Sequence, residues 1–449
     1  MRLLIIGLDS APPSLLFDRY LEVMPNLAEM LDSSLHGPLK TCHPPITVPA
    51  WAVMATGKTP GELGIYGFRH RRPGDYQDYY IVTSKDVREP FVWDLLAEKG
   101  YRSLLTFFPP SYPPMQVKGL LISDFHTPSD AKNYTFPPWL RLEVERLLGR
   151  RPTFDVKFRV EDRKPLERQL FAMTEEHFLL LEHLLKKNWD LAWHVEIGLD
   201  RLHHAFWKFF DPSHPRHPGE NEFQDVAERY YALLDELIAR VRRAAGNPVT
   251  LVVSDHGAKA MEGAFAINQW LEEVGLLTFK ERPQKQTRFE RAKVDWERTK
   301  AWGWGGYYAR IFVNLKGREP QGVVNQEDYQ SFLGELKDLL KGVTKPDGSL
   351  MGVEAYTPHE LYPEVRGDYP DLMVYLGNLS WRSAGTVGHP TTFLEENDTG
   401  PDDAVHDWEG VYMLHDPEGR FSGEKEASIY DIAPTILKLF GLTVGRSLI

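Results

Sequence analysis

Cysteine is almost missing from this chain: Cys42 is the only one in 449 residues, so no intramolecular disulfide framework can form. Long apolar runs are missing too. The first, Leu3-Leu4-Ile5-Ile6-Gly7-Leu8, ends at Asp9, too short for a signal-peptide core or a membrane span, and nothing later approaches spanning length. A cytoplasmic protein with no membrane attachment is therefore expected. Positive charge is in deficit, with 52 Lys and Arg against 64 Asp and Glu and a net charge of −12. That argues against a general nucleic-acid-binding surface, which selects clustered Lys and Arg. Small phosphorylated substrates stay open, because metal ions can supply a local positive field. Internal repeats and low-complexity tracts are absent, and oligomeric state is not legible.

What is present is a globular composition, 42% apolar and 26% charged, on a chain longer than one ordinary core. A strand over about residues 2–8 leads to helices around Leu21–Leu31 and after the loop His43–Pro49. Helix and strand signals alternate again at 91–107, at Gln169–Lys187 before the run reaching Asp200, and at Val226–Val241 before Val249–Val253. That order predicts an α/β fold with a mostly parallel central sheet and helices on both faces. Residues 127–168 show no clear periodicity and read as an excursion. The more charged segment 277–385, with its Trp302–Tyr308 cluster and a helix Gln326–Leu340 capped by Asn325, reads as an inserted cap subdomain. The core is then 1–276 plus 386–449, closing with a strand at 410–414 and a helix Ile429–Leu439. The run Arg69-His70-Arg71-Arg72 reads as a solvated charged loop.

Three strand-like runs end in a carboxylate. They lead to Asp9, to Asp200 with His203 and His204 behind it, and to Asp255-His256-Gly257. In an open parallel sheet such strand ends converge on one crevice. Carboxylates and imidazoles gathered there need something positive between them, and their oxygen and nitrogen donors suit zinc and similar divalent ions. Asp200 and His204 stand four residues apart, so one helical turn aims both at one ion. A donor set this large suggests two metals, which can clamp the attacking and leaving oxygens of a phosphoryl displacement. Thr47, at or just before a helix start with Pro49 in its first turn, is the candidate nucleophile. For Asp9 alone a turn cap, and for Thr47 alone an N-cap, are the plain structural alternatives.

In combination these residues resemble the alkaline phosphatase superfamily, in its type I phosphodiesterase/nucleotide pyrophosphatase-like branch. The likeness rests on Gly7-Leu8-Asp9-Ser10, Thr47-Val48-Pro49-Ala50-Trp51, Gly64-Ile65-Tyr66-Gly67-Phe68, Asp200-Arg201-Leu202-His203-His204, Ser254-Asp255-His256-Gly257, His406-Asp407-Trp408-Glu409-Gly410 and Ser428–Thr435. It implies an alkaline phosphatase-like core and one metal held by Asp200, His204 and His406. A second metal would be held by Asp9, Asp255, His256 and the Thr47 oxygen, zinc being favoured and manganese possible by donor type. Thr47 would attack phosphorus and form a phosphothreonine that is then hydrolysed, cleaving a phosphodiester or pyrophosphate. A monoesterase or cofactor-independent phosphomutase on the same scaffold is the alternative, and a non-catalytic binder of phosphorylated ligands a more distant one. His389, in Gly388-His389-Pro390, rivals His406 as the last ligand. The chain departs from the pattern at Phe68, where secreted relatives carry an asparagine that holds phosphate oxygen. Trp51 in place of an arginine, with Thr47 in place of Cys or Ser, argues against a sulfatase.

Overall fold

The run Leu3–Leu8 forms β1, and every one of its residues is buried, as a strand with helices on both sides requires. The computed structural model describes residues 1–442 and 447–449. By internal contacts the chain forms two units. The first comprises Met1–Phe68, Val82–Ala258 and His406–Ile449, and the second Arg69–Ile81 and Lys259–Val405.

In the first unit β1 lies at the centre of a ten-stranded sheet. The other strands are β2 (Ser34–Lys40), β3 (Ser103–Thr106), β4 (Gly119–Ile122), β5 (Thr135–Phe136), β6 (Leu191–Glu196), β7 (Val249–Val253), β8 (Glu409–His415), β9 (Gly423–Glu424) and β10 (Ala427–Ser428). Their order is β9-β2-β8-β7-β1-β6-β3-β4-β5, with β10 beside β2. β1 pairs in parallel with β6 and β7, and β3 in parallel with β6 and β4. β8 runs antiparallel between β7 and β2. The mostly parallel α/β architecture expected from the alternating signals is therefore the one observed.

The helices that matter for the site are α1 (Thr47–Thr56), α2 (Arg163–Leu184), α3 (Gly198–Phe210), α4 (Val226–Ala244) and α5 (Ile432–Leu439). Adjacent residues of a strand point to opposite faces, and β6 shows where the helices lie. Trp193 packs edge-on to Trp51 of α1, at 6.5 Å between ring centroids, while His194 packs against Phe178 of α2 at 4.9 Å. The sheet is thus covered on both faces.

Several boundaries differ from expectation for local reasons. The 127–168 excursion contains a helix, Leu140–Leu148, whose buried Leu140 and Val144 stand one turn apart among Arg and Glu. α2 starts at Arg163, and α5 is preceded by a short 3-10 turn over Ile429–Asp431.

The second unit extends beyond the expected 277–385 at both ends and takes in 69–81. It contains a four-stranded sheet (301–304, 309–313, 372–375 and 354–356) and a three-stranded one (381–384, 263–266 and 393–394). Its longest helix is Tyr329–Lys341 with Asp328 at the N-cap, rather than one capped by Asn325; the Asn325 amide instead donates to Asp328. Arg71 is not in a solvated loop. It is buried, pairing with Glu319 at 2.6 Å and with Asp368 at 3.1 Å, and Tyr76 stacks on Trp296 at 3.7 Å. These contacts tie 69–81 into the core of this unit. A charge run reads as solvated only until a tertiary partner is known.

Gly7 allows one contact on which the site depends. A Cβ there would lie 2.5 Å from the Trp51 ring and 3.0 Å from the His194 carbonyl oxygen, so only glycine lets the indole cross β1 this closely. Gly7→Ala is expected to destabilise the protein by about 1–3 kcal/mol through overpacking. A urea denaturation midpoint indistinguishable from wild type would show that the indole has room to retreat.

Candidate functional site

Each strand end places its carboxylate through its own backbone. Asp9 follows β1, and its N–H donates to the Glu196 carbonyl across the sheet. Asp255 follows β7, where its Oδ1 accepts the Ser10 N–H at 3.1 Å and its carbonyl accepts the Thr41 hydroxyl at 2.5 Å. Asp200 lies in the first turn of α3, with His204 one turn later, as the four-residue spacing required. Asp9, Asp200, Asp255, His204, His256 and His406 are all buried in the first unit; Thr47, first residue of α1, is partly exposed.

These side chains meet. His204 Nε2 lies 3.2 Å and His406 Nε2 3.7 Å from Asp200 Oδ1. His256 Nε2 lies 3.1 Å from Asp255 Oδ2 and 3.7 Å from Asp9 Oδ1. Thr47 Oγ1 stands 3.4 Å from Asp9 Oδ1 and 3.3 Å from His256 Nε2. Among the described residues, two groups bring ligand atoms within 4.8 Å of one another: Asp200, His204 and His406, and Asp9, Asp200 and His256. The first matches the expected trio. The second contains Asp200 where Asp255 was expected, so Asp200 stands between the two groups. The rival His389 belongs to the second unit, where its Nε2 bonds Thr386 Oγ1 at 2.7 Å.

The imidazoles are oriented by their other nitrogens. His406 Nδ1 lies 2.7 Å from the Pro45 carbonyl and His256 Nδ1 2.9 Å from that of Gly257. A carbonyl only accepts, so each Nδ1 carries a proton and each Nε2 turns to the carboxylates, the arrangement typical of metal-ligating histidine. Two contacts here escaped the sequence reading. The Trp51 indole N–H donates to Asp9 Oδ2 at 2.8 Å, and Arg201 Nη1 donates to Asp200 Oδ2 at 2.8 Å. A tryptophan within the apolar α1 reads as core, and no periodicity marks one that also carries a hydrogen bond.

The charges are unbalanced. Burial, then the Asp255 and Asp200 charges, raise Asp9 well above the ordinary carboxylate range. Burial alone would raise Asp200 as well, but His204, then Arg201 and His406, hold it well below. Burial works to lower His256, yet Asp255, then Asp9 and Asp200, push it up to about 9. Burial and the neighbouring His256 keep His406 well below the usual imidazole range. Asp200 Oδ1 and Asp255 Oδ2 are buried and form no well-aligned hydrogen bond; the imidazoles of His204 and His256 stand beside them at 3.2 and 3.1 Å. Acceptor oxygens in a buried set of carboxylates and imidazoles fit divalent cations, which would relieve the repulsion that raises Asp9.

Residues 3–403 match a family model described as type I phosphodiesterase/nucleotide pyrophosphatase. Murine ectonucleotide pyrophosphatase/phosphodiesterase 5 superposes with a TM-score of 0.58 at 13% identity, covering 100% of this chain and 97% of that one. An inactive threonine-to-alanine variant of the murine protein, in complex with AMP, gives 0.58 at 12% identity, covering 100% and 96%. Phosphonoacetate hydrolase from Sinorhizobium meliloti 1021, in complex with phosphonoformate, gives 0.62 at 14%, covering 96% and 94%. At these identities the likeness shows the fold, and it is the alkaline phosphatase-like one. No curated protein sequence matches significantly.

Cation uptake by the metal-free protein is expected to release protons at neutral pH, because His256 is then protonated, and affinity is expected to rise as pH is raised toward about 9. Calorimetric titrations with zinc in buffers of different ionisation enthalpy measure both; uptake without proton release contradicts the assignment of His256. Asp200→Asn is expected to lower bound metal more than His204→Ala, since Asp200 belongs to both groups. Elemental analysis of the two variants tests this, equal metal contents being the contrary result.

Proposed function

We propose, for a chain that belongs to the type I phosphodiesterase/nucleotide pyrophosphatase family and is a hydrolase acting on phosphoric ester bonds, that Thr47 is its nucleophile beside a pair of divalent cations. The observation that carries this reading is the place of Thr47: alone of the cluster it is open to solvent, and its oxygen stands between Asp9 and His256. The inactive threonine-to-alanine variant of the murine structure supports it by analogy.

Asp200, His204 and His406 would hold one cation, and Asp9, Asp255 and His256 the other, with Asp200 near enough to serve both. When bound, the cations would lower the pKa of the Thr47 hydroxyl and neutralise charge developing on the phosphoryl oxygens. Zinc is favoured, with manganese acceptable to the same donors. The chain supplies the rest. The Thr47 hydroxyl donates toward Asp9 Oδ1, which orients its oxygen within the cluster, and its proton leaves to solvent, which the partly exposed side chain reaches. At the start of α1 only Thr47 and Val48 offer N–H groups without a partner within the helix, since Pro49 has none and Ala50 bonds the Ile46 carbonyl, and such an end favours phosphate. Attack by the Thr47 oxygen forms the new P–O bond as the bond to the leaving alcohol or phosphate breaks. Water then cleaves the phosphothreonine and regenerates the hydroxyl.

The preferred substrates are small phosphodiesters or pyrophosphates, as the family description indicates. No helix among the described residues is long and apolar enough to cross a membrane. Thr47→Ala is expected to lower kcat on bis-nitrophenyl phosphate on the order of 10^4-fold or more, as removal of a covalent nucleophile does, with metal content retained. Substantial turnover by this variant removes the nucleophile assignment. Faster turnover of nitrophenyl phosphate than of the diester by the wild type moves the reading to the monoesterase or phosphomutase alternative.

A further inference from the structure

Directly beneath the cluster, a buried carboxylate that is not among the candidate ligands touches the supports of both cation groups. Glu196 is the last residue of β6 and is fully buried. Its carbonyl accepts the Asp9 N–H at 3.1 Å. Its side-chain Oε1 accepts the N–H of Gly198, first residue of α3, at 2.8 Å, and lies 3.4 Å from the Thr174 hydroxyl. Oε2 lies 3.1 Å from His177 Nδ1 and 3.6 Å from His194 Nε2.

The start of α3 needs this contact. The first N–H groups of a helix have no partner within it, and a side chain at the N-cap position usually supplies one. Here the N-cap is Ile197, which makes no side-chain cap. Glu196 does so from one position earlier, and a carboxylate there also complements the positive end of the helix. The fit is close, since a Cβ on Gly198 would lie 2.2 Å from the Tyr230 hydroxyl, 2.5 Å from Thr174 Oγ1 and 2.7 Å from Glu196 Oε1. Tyr230 and Thr174 bond one another at 2.7 Å, so the pocket around the helix start is rigid and polar.

Stability alone does not call for such a group. A buried ion pair is commonly matched or exceeded in stability by apolar side chains of the same volume. An apolar side chain, however, would leave the Gly198 N–H without an acceptor and the start of α3 free to shift. Asp200 and His204 ride on that turn, and Asp9 hangs from the same residue through its main chain. We propose that Glu196 is a positioning residue that fixes the separation between Asp9 and the Asp200–His204 turn, and thereby the affinity and geometry of the cation site. The inference rests on reading the cluster as a cation site, and its test reads cation binding separately from turnover.

Glu196→Met removes the acceptor at similar volume, whereas Glu196→Gln keeps an oxygen able to accept the Gly198 N–H. Zinc affinity, measured by chelator competition, is expected to fall about 10–100-fold in Glu196→Met, the range seen when partners behind metal ligands are removed. The visible spectrum of the cobalt-loaded protein should change with it, and Glu196→Gln should restore most of both. With saturating metal, kcat on bis-nitrophenyl phosphate should fall in Glu196→Met while KM stays near wild type. A folded Glu196→Met protein with wild-type zinc affinity and cobalt spectrum overturns the proposal, as does a Glu196→Gln protein impaired as severely as Glu196→Met. If Glu196→Met does not fold, Thr174→Val removes the hydroxyl that helps hold Glu196 Oε1 against the Gly198 N–H: a several-fold loss of zinc affinity is expected, and unchanged affinity overturns the proposal. Wild-type protein that binds zinc but hydrolyses no phosphoester defeats the functional reading and leaves these affinity comparisons standing; wild-type protein that binds no cation defeats both.

Discussion

Negative charge held out of water is the constraint on which this structure turns. Asp9, Asp200 and Asp255 are buried together, and a carboxylate taken from water into a protein interior is strongly disfavoured unless it is paired or ligates a metal. Besides the imidazoles, the chain supplies one positive group, the Arg201 guanidinium on Asp200, and neutral donors: the Trp51 indole N–H and Thr47 hydroxyl on Asp9 and the Ser10 N–H on Asp255. That is too little for three carboxylates, and the remainder falls on protons. Asp9 is driven toward its neutral acid and His256 toward its cation, while Asp200 stays ionised beside His204. A divalent cation in each group would resolve the same imbalance without protons.

The sheet makes such crowding possible. β1, β6 and β7 run in the same direction, so their carboxyl ends reach one edge together; Asp9 follows β1 directly and Asp255 follows β7 after Ser254. Asp200 arrives one short turn later on α3. Crowding alone would splay the side chains apart, but the backbone resists. Ser10 N–H holds Asp255, the Pro45 and Gly257 carbonyls orient His406 and His256, and Gly7 lets Trp51 lean across β1 to reach Asp9. The donors are therefore arranged by groups that do not ligate, which is how proteins generally orient metal ligands. Thr47 differs in being partly exposed, as the proposed nucleophile would have to be.

Much of this was legible in the residue order. Strand runs that stop at Asp9 and Asp255, and a pattern that turns helical at Asp200 with His204 one turn on, carry their geometry in local periodicity, which a sequence displays directly. Helix starts were less legible. The helix expected at Gln326 begins at Tyr329; Asp328 holds the N-cap position without a side-chain cap, its carboxylate accepting the Asn325 amide instead. The helix Leu140–Leu148 went unseen because only Leu140 and Val144 of its nine residues are buried, too few to show a period.

By itself the sequence determined the alternation of strands and helices, the carboxylate at each strand end and the four-residue step from Asp200 to His204, since all of these are properties of neighbours along the chain. Only the tertiary structure decided that Asp200 lies between the two groups of carboxylates and imidazoles, that the Trp51 indole bonds Asp9 and Arg201 bonds Asp200, and that Arg71 is buried against Glu319 and Asp368. The partners in those contacts are mostly remote in the chain, as Trp51 is from Asp9 and Arg71 from Glu319. A charge or an indole shows its role only when the fold brings its partner to within about 3 Å, the range over which hydrogen bonds act.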